Sequence, residues 1–337
     1  METTPETDYP ALQADLSVDV VVVGGGIAGL TTAALLKKSG KSVAVIEADR
    51  VGSGVTGHST GKVSSLHQII YQQLAKSFGK DGAKLYGQAN EAAIKLVDDL
   101  VREHDIECDW QREDNYTYAL TEEDLQRVRR EAEVAEELGL PAEFTADVPL
   151  PISAKGAVKF SNQGYLHTRK FCIGLARVIY GGSSYVFEQT RAVDVEDGEP
   201  CVVKTDKGSI KATDVVVATN VPFLDRGFYF ARSHPHRSYL IAARIRDKLP
   251  HGMYISAGND PTASILPVRL GNAEYLLIGG EGHKTGQGGT IADRYRALVD
   301  YAHGHFDVSA VAYRWATQDG VPVDGVPYIG KLNHFSK

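Results

Sequence analysis

Gly24, Gly26 and Gly29 follow a β-branched run, Val18–Val23, and stand at the mouth of an apolar helical stretch that opens at Ile27. In a G-x-G-x-x-G pattern the first glycine permits a tight turn and the second lets the backbone approach a pyrophosphate. The third lets helix and strand pack closely. The helix mouth, with the amides of Ile27 and Ala28, offers N–H groups without intrahelical partners and the positive end of a dipole. Glu47 lies eighteen residues beyond Gly29, at the end of the next apolar run, Ser42–Glu47. A carboxylate there accepts hydrogen bonds from a ribose diol and repels a 2′-phosphate. The chemistry implied is the binding of a dinucleotide.

That fingerprint alone does not separate NAD from FAD. Beyond Glu47 and Ala48, the segment Arg50-Val51-Gly52-Ser53-Gly54 continues into a Gly/Ser/Thr loop that runs to Gly61. A second apolar strand, Asp214–Ala218, ends in Thr219-Asn220 and returns to the fold much later in the chain. Both features suit an FAD lying extended across the domain. An NAD-linked dehydrogenase is the weaker alternative.

Composition narrows the remaining classes. The 337 residues are 43% hydrophobic and 23% charged, with a net charge of −7, as in an ordinary globular protein without a basic face for nucleic acid. Cys108, Cys172 and Cys201 are far apart and odd in number, so neither a disulfide framework nor a zinc site is readable. The apolar run Val18–Leu36 follows an acidic segment and is broken by Gly24, Gly25, Gly26 and Gly29. Strand, turn and helix explain it better than a membrane span or signal peptide. A cytoplasmic protein with reduced thiols and no metal is expected.

The elements expected around these residues give an α/β fold: a Rossmann-like FAD/NAD(P)-binding domain with an inserted α+β substrate domain built on an antiparallel sheet. Helices are expected at 27–39, 69–78, 83–104, from Thr121 to before Gly139, at 168–180 and at 291–306, with 145–156 a Pro-rich connector. Short strands follow from Tyr185 onward, at 185–187, 192–195, 201–205, 209–211 and 214–218, and then at 238–245, 252–257, 263–268, 274–279 and 311–316. The expected boundaries are a flexible arm at 1–16, a discontinuous FAD-binding domain at 17–75, 157–222 and 290–337, and a substrate domain at 76–156 and 223–289.

With these residues in hand, the chain resembles the D-amino acid oxidase and glycine oxidase superfamily of FAD-dependent oxidoreductases. Within it, the chain is similar to the branch that includes gamma-glutamylputrescine oxidase-like proteins and flavoproteins with a C-terminal Rieske domain. The resemblance rests on Asp19–Gly54, Thr56–Lys62, Tyr86–Ile94, Thr213–Pro222, Gly227–Arg232, Ser238-Tyr239, Gly279–Gly286 and Arg314–Asp319 through Asp324–Gly330. It implies that Gly24, Gly26 and Gly29 meet the pyrophosphate and Glu47 the adenosine ribose. The run Thr56 to Lys62, with Thr56, Gly57, His58 and Ser59 binding the cofactor, would pass beside the isoalloxazine ring and the backbone around Ala192 beside the adenine, while Ala48, Arg50, Gly54, Ala218 and Thr219 would complete the cofactor contacts. Gly61 stands where relatives commonly carry alanine. Family members also continue past Pro-Tyr-Ile-Gly330 into another strand and a glycine-rich helix start, and on that reading the chain is C-terminally shortened. The alternative reading is a truncated remnant that binds flavin weakly or not at all.

The resemblance implies hydride transfer from the carbon next to an amine to the flavin N5, with the imine then hydrolysed and electrons passed to O2 or to an acceptor protein. Negative charge builds at the flavin's N1–C2=O end on reduction, and Lys62 and His58, four residues apart, are the candidates to meet it. Arg232, Tyr239 and Tyr254 are candidates to bind the amine or amino acid, the arginine through a carboxylate. His283 and Lys284 are expected in a turn, His234 and His236 in an exposed loop, and Trp315 in the core. A flavin monooxygenase or NAD(P)H-dependent reductase would want a second nicotinamide-type glycine motif or a late Gly-Asp signature, and neither is found.

Overall fold

The computed structural model describes residues 4–221, 223–224, 229–246, 248, 250–258, 262–270 and 273–331. β1 (Leu16–Val23) is buried on both faces from Val20 to Val23. Val20 and Val22 pack under α1 (Ile27–Lys38), and Val21 and Val23 enter a second apolar layer with Leu12, Val203 and Ile210. β2 (Val43–Ile46) lies parallel to β1, and a 3-10 turn (Val55–His58) and the short β3 (Lys62–Val63) follow. α2 (Tyr71–Glu103) joins the two helices expected at 69–78 and 83–104, with a break at Gly79, φ +74°. β4 (Gln111–Ala119) leads to α3 (Glu122–Glu137), whose first turn is capped as expected by Thr121, the Oγ1 accepting from Asp124 N–H at 3.1 Å.

β5 (Ala142–Thr145), β6 (Gly156–Tyr165), α4 (Thr168–Ile179), β7 (Tyr185–Phe187), β8 (Ala192–Glu196) and β9 (Cys201–Thr205) come next. β10 (Ser209–Val217) merges the stretches expected at 209–211 and 214–218 into one strand. It runs parallel to β1 from Leu16↔Ile210 to Val23↔Val217. The first sheet has the order β7-β2-β1-β10-β9-β8, parallel through β10 and antiparallel beyond it.

The rest of the chain builds the other layer: α5 (Tyr229–Arg232), β11 (Ser233–Ile245), β12 (Met253–Ser256), β13 (Ala263–Leu270), β14 (Ala273–Lys284), α6 (Ile291–His305) and β15 (Val308–Pro322). These strands join β4, β6 and β3 in the order β15-β11-β14-β13-β12-β4-β6-β3, with β5 also on β6. Only the β4–β12 pair is parallel among the described strands of this sheet. One face of the sheet packs on α6 through Tyr239, Ile241, Ile278, Leu298 and Ala302.

The sheets redraw the expected boundaries. Residues 156–165 and 290–322 sit with the second sheet, because β6 pairs with β4 and β15 pairs with β11 along thirteen positions from Ser233↔Pro322 to Ile245↔Val308. The arm expected to be flexible is docked from Thr4 on: Thr7 and Leu12 are buried, and Leu12 N–H donates to Thr190 Oγ1 at 3.0 Å. Residues 1–3, Pro222, Gly227, Phe228 and 332–337 lie outside the described residues. Among the described residues no helix is long and apolar enough to cross a membrane.

Candidate active site

α1 begins directly after Gly26, which is extended and gives the helix no side-chain cap. The first amides of any α-helix lack intrahelical acceptors; here Ile27 N–H finds one in Thr56 Oγ1 at 3.2 Å, and the positive end of the helix dipole at this mouth suits an anion. A Cβ on Gly29 would fall 2.0 Å from the Gly24 carbonyl oxygen, and one on Gly24 2.5 Å from the Ala218 oxygen. Both glycines are therefore needed for strand, turn and helix to close on one another. At Gly26 a Cβ would meet only Thr56 Oγ1, at 3.1 Å. That space is open to a ligand rather than taken by packing.

Glu47 faces the same mouth. Its Oε2 accepts from Gly25 N–H at 2.7 Å and its Oε1 from Asp49 N–H at 2.9 Å. A carboxylate has about four lone-pair positions, so acceptors remain for a ribose diol. Ala218 N–H donates to Val23 O at 2.8 Å, which sets Ala218 and Thr219 beside Gly24 at the carboxyl ends of the parallel strands. Ligands of doubly wound sheets bind at such ends. The segment before Ala192 runs along the Glu47 corner, with Thr190 N–H on Glu47 O at 2.9 Å and Gln189 N–H on Asp49 O at 3.0 Å. These residues fit the adenosine diphosphate half of FAD. The Arg50 guanidinium is engaged by Thr7 O and lies 3.8 Å from the Glu6 carboxylate.

The 3-10 turn at 55–58 is held from three sides. Ile27 N–H donates to Thr56 Oγ1 at 3.2 Å, Thr168 Oγ1 donates to Thr56 O at 2.7 Å, and Trp315 Nε1 donates to His58 O at 2.9 Å. Beside it lies a cavity of about 410 Å³. The turn contributes Gly57, His58, Ser59 and Thr60, and the β6–α4 corner contributes Tyr165, Leu166, His167 and Thr168. The second sheet supplies Ala242, Val268, Leu277, Tyr313 and Trp315, with Asp109, Arg269 and Arg314 also on the wall. The lining is thus largely apolar and aromatic, as a flat ring and an apolar substrate body require. Burial pushes the His167 imidazole below its ordinary range, so it is neutral near pH 7.

His58 and Lys62 part company in space. His58 lies on the cavity wall with Nδ1 2.8 Å from Gly54 O. Lys62 reaches to the second sheet, where Nζ donates to Tyr254 O at 2.7 Å and Ser264 Oγ at 2.8 Å. The residue as a whole is half-buried, and its ammonium end is the enclosed part. That burial brings its pKa down to about 7.

Strand parity moves the expected substrate residues elsewhere. Tyr239 is buried on the α6 face, its hydroxyl 3.1 Å from His283 Nε2, while its neighbours Leu240 and Ala242 take the other face. Tyr254 lies in the same core, stacked on Tyr116 and bonded to the His251 and Pro149 carbonyls. Arg232 is exposed at the end of α5. His234, His236, His283 and Lys284 are in strands β11 and β14 instead of loops. Trp315 leaves the core for the cavity wall. Among the described residues no cluster of three or more His, Cys, Asp or Glu is arranged to hold a metal. The β6–α4 corner and Tyr313 were not singled out in the sequence. The available signal was the helix start at Thr168, another N-terminus aimed at the loop after Glu47, and the alternation of Tyr313 with Trp315.

The sequence model of FAD-dependent oxidoreductases matches residues 19–336. The Bacillus subtilis protein described as a putative Rieske 2Fe-2S iron-sulfur protein is 35% identical over 98% of this chain, which spans 65% of that protein's length. Gamma-glutamylputrescine oxidoreductase of Escherichia coli is 27% identical over 65% of this chain and 52% of its own. The fold is shared with glycine oxidase from Geobacillus kaustophilus, at a TM-score of 0.78 and 20% identity, covering 95% of this chain and 87% of that one. L-amino acid deaminase from Proteus vulgaris superposes with a TM-score of 0.72 at 18% identity, covering 97% and 84% of the two chains.

Proposed function

This chain belongs to the family of FAD-dependent oxidoreductases, and from that premise we propose that it oxidises the carbon–nitrogen bond of an amine or amino acid. The observation that carries the reading is the position of the cavity. It joins the turn beside a dinucleotide-type helix mouth to an aromatic and apolar sheet face. The names of the relatives, a glutamyl derivative of the diamine putrescine in one case and glycine in another, support the substrate class.

Bound FAD supplies the hydride acceptor, and the substrate leaves as an imine that water hydrolyses. The protein's part is to bind, orient and exclude water. Gly26 and Ala28 present backbone to the diphosphate, Ile27 N–H anchors the turn through Thr56 Oγ1, and Glu47 accepts from the ribose. The turn at Thr56, Gly57, His58 and Ser59 forms one edge of the ring's slot. Tyr313, Trp315, Leu277 and Val268 enclose the substrate body. An apolar enclosure disfavours an ammonium ion and so favours the neutral amine, the form whose lone pair can assist hydride loss. Lys62 is the positive group for charge that develops on the ring, held by Tyr254 O and Ser264 Oγ.

The test is to purify the protein, record its visible spectrum and add amines anaerobically. A yellow protein bleached by one member of an amine and amino-acid panel supports the proposal, and admitting air or a carrier protein then identifies the acceptor. Yellow protein that no amine or amino acid reduces would remove the substrate class. Protein that stays colourless with added FAD would remove the cofactor as well.

A further inference from the structure

We infer that residues 4–12 form a strap that completes the adenosine end of the nucleotide site, with the buried Glu188 as the positioning residue that locks it. The inference rests on the FAD reading above and adds a part of the chain that no glycine motif includes. Glu188 is only 2% exposed, between β7 and β8. Its Oε1 accepts from the Thr7 hydroxyl and from Val51 N–H at 2.7 Å, and its Oε2 from Tyr9 N–H at 3.1 Å. One carboxylate therefore bolts the strap to the turn that follows Glu47.

The same two segments are joined at further points. Glu188 N–H donates to Pro10 O at 3.3 Å, and Leu12 N–H donates to Thr190 Oγ1 at 3.0 Å. Thr190 N–H in turn donates to Glu47 O at 2.9 Å. Arg50 reaches Thr7 O, and Arg169, 3% exposed, reaches Thr4 Oγ1 and Pro5 O. Tyr9 leans on Tyr180 with ring centroids 5.3 Å apart. Gly52 N–H closes the loop onto Gly25 O at 2.9 Å, next to the amide that Glu47 grips.

A carboxylate taken out of water needs such donors, and losing it leaves the Thr7 hydroxyl and the Val51 and Tyr9 amides without their acceptor. The strap touches the turn rather than any ligand, so its effect on affinity is transmitted through the placing of Glu47 and Gly25. By linkage, a ligand that fits the placed turn also holds the strap down.

The experiment measures FAD and ADP dissociation constants for the wild type, Glu188→Gln, Thr7→Val and a chain lacking residues 1–8. Circular dichroism and melting curves accompany each. Expected are roughly tenfold weaker FAD and ADP binding for Glu188→Gln and the shortened chain, and about threefold for Thr7→Val. In the wild type, cleavage after Glu6 by a glutamate-specific protease should slow in the presence of ADP. Folded variants that bind both ligands as the wild type does overturn the strap and leave the cofactor reading intact. A wild type that binds neither ligand overturns both. Should Glu188→Gln fail to fold, Thr7→Val and the shortened chain still decide.

Discussion

Trp315 Nε1 donates to the carbonyl oxygen of His58 at 2.9 Å, which ties an edge strand of the second sheet to the turn of the first. The two residues are far apart in sequence, and both line the cavity. Trp315→Phe keeps an apolar wall and removes the donor. A single hydrogen bond is worth about 0.5–1.5 kcal/mol net, so kcat/KM should fall up to about tenfold with a shifted flavin spectrum. Steady-state kinetics and absorbance check it, and an unchanged pair of readings would show that the turn is held without the indole.

The glycines of the helix mouth should separate into two classes. Gly29→Ala forces a Cβ to within 2.0 Å of Gly24 O, backbone against backbone, and should yield unstable protein. Gly26→Ala meets only a side-chain oxygen at 3.1 Å. It should fold with a near-native melting temperature yet bind FAD at least tenfold more weakly, because the methyl occupies the ligand's approach. Calorimetry paired with FAD titration distinguishes the two, and a Gly26→Ala protein of native affinity would remove the diphosphate from that site.

What could be read in the sequence was local. Glycine sterics, helix mouth and acidic strand end are settled within about thirty residues, and the structure brings Gly24, Gly26, Gly29 and Glu47 together as that motif implies. The direction of side chains in the second sheet was not readable, because the register slips opposite Arg237/Tyr239 and opposite Ala242/Ala243 place an extra residue in β14 and in β15 and so alter the parity along those two strands. The partner of Arg50 was equally hidden, since Thr7 lies in an N-terminal segment that carries no periodic signal. Gly61 stands where the family resemblance implies alanine. Yet its φ is +85° and a Cβ would sit 1.9 Å from Leu166 O, so Gly61→Ala should lower the melting temperature by several degrees in this chain.

Lys62 gives the protein a pH signature. Burial holds its pKa at about 7 when folded, against 10.5 for an exposed lysine. Between those values the unfolded chain binds more protons, so this group makes the cofactor-free protein more stable as pH rises from about 7 to about 10.5. Lys62→Met should flatten that slope and stabilise most at acid pH, where the buried ammonium is otherwise fully charged. In the loaded protein the same change should lower the flavin midpoint potential, because the reduced ring loses a counter-charge. Melting temperature against pH and a potentiometric titration read the two effects, and a potential unmoved by Lys62→Met would place the ammonium too far from the ring to matter.

Two tyrosines test which face of the second sheet meets substrate. Tyr239 lies on the α6 side with its hydroxyl 3.1 Å from His283 Nε2, whereas Tyr313 lines the cavity. Tyr239→Phe removes one partly enclosed hydrogen bond and should cost about 1 kcal/mol of stability with KM unchanged. Tyr313→Ala removes an aromatic wall and should raise KM about tenfold, roughly what the lost apolar contact is worth, while sparing stability because Tyr313 is partly exposed. Melting curves and KM for the substrate found in the amine panel separate the two. If Tyr239→Phe raised KM at native stability while Tyr313→Ala left it alone, the substrate would have to lie against α6, and the cavity beside the turn would be some other passage.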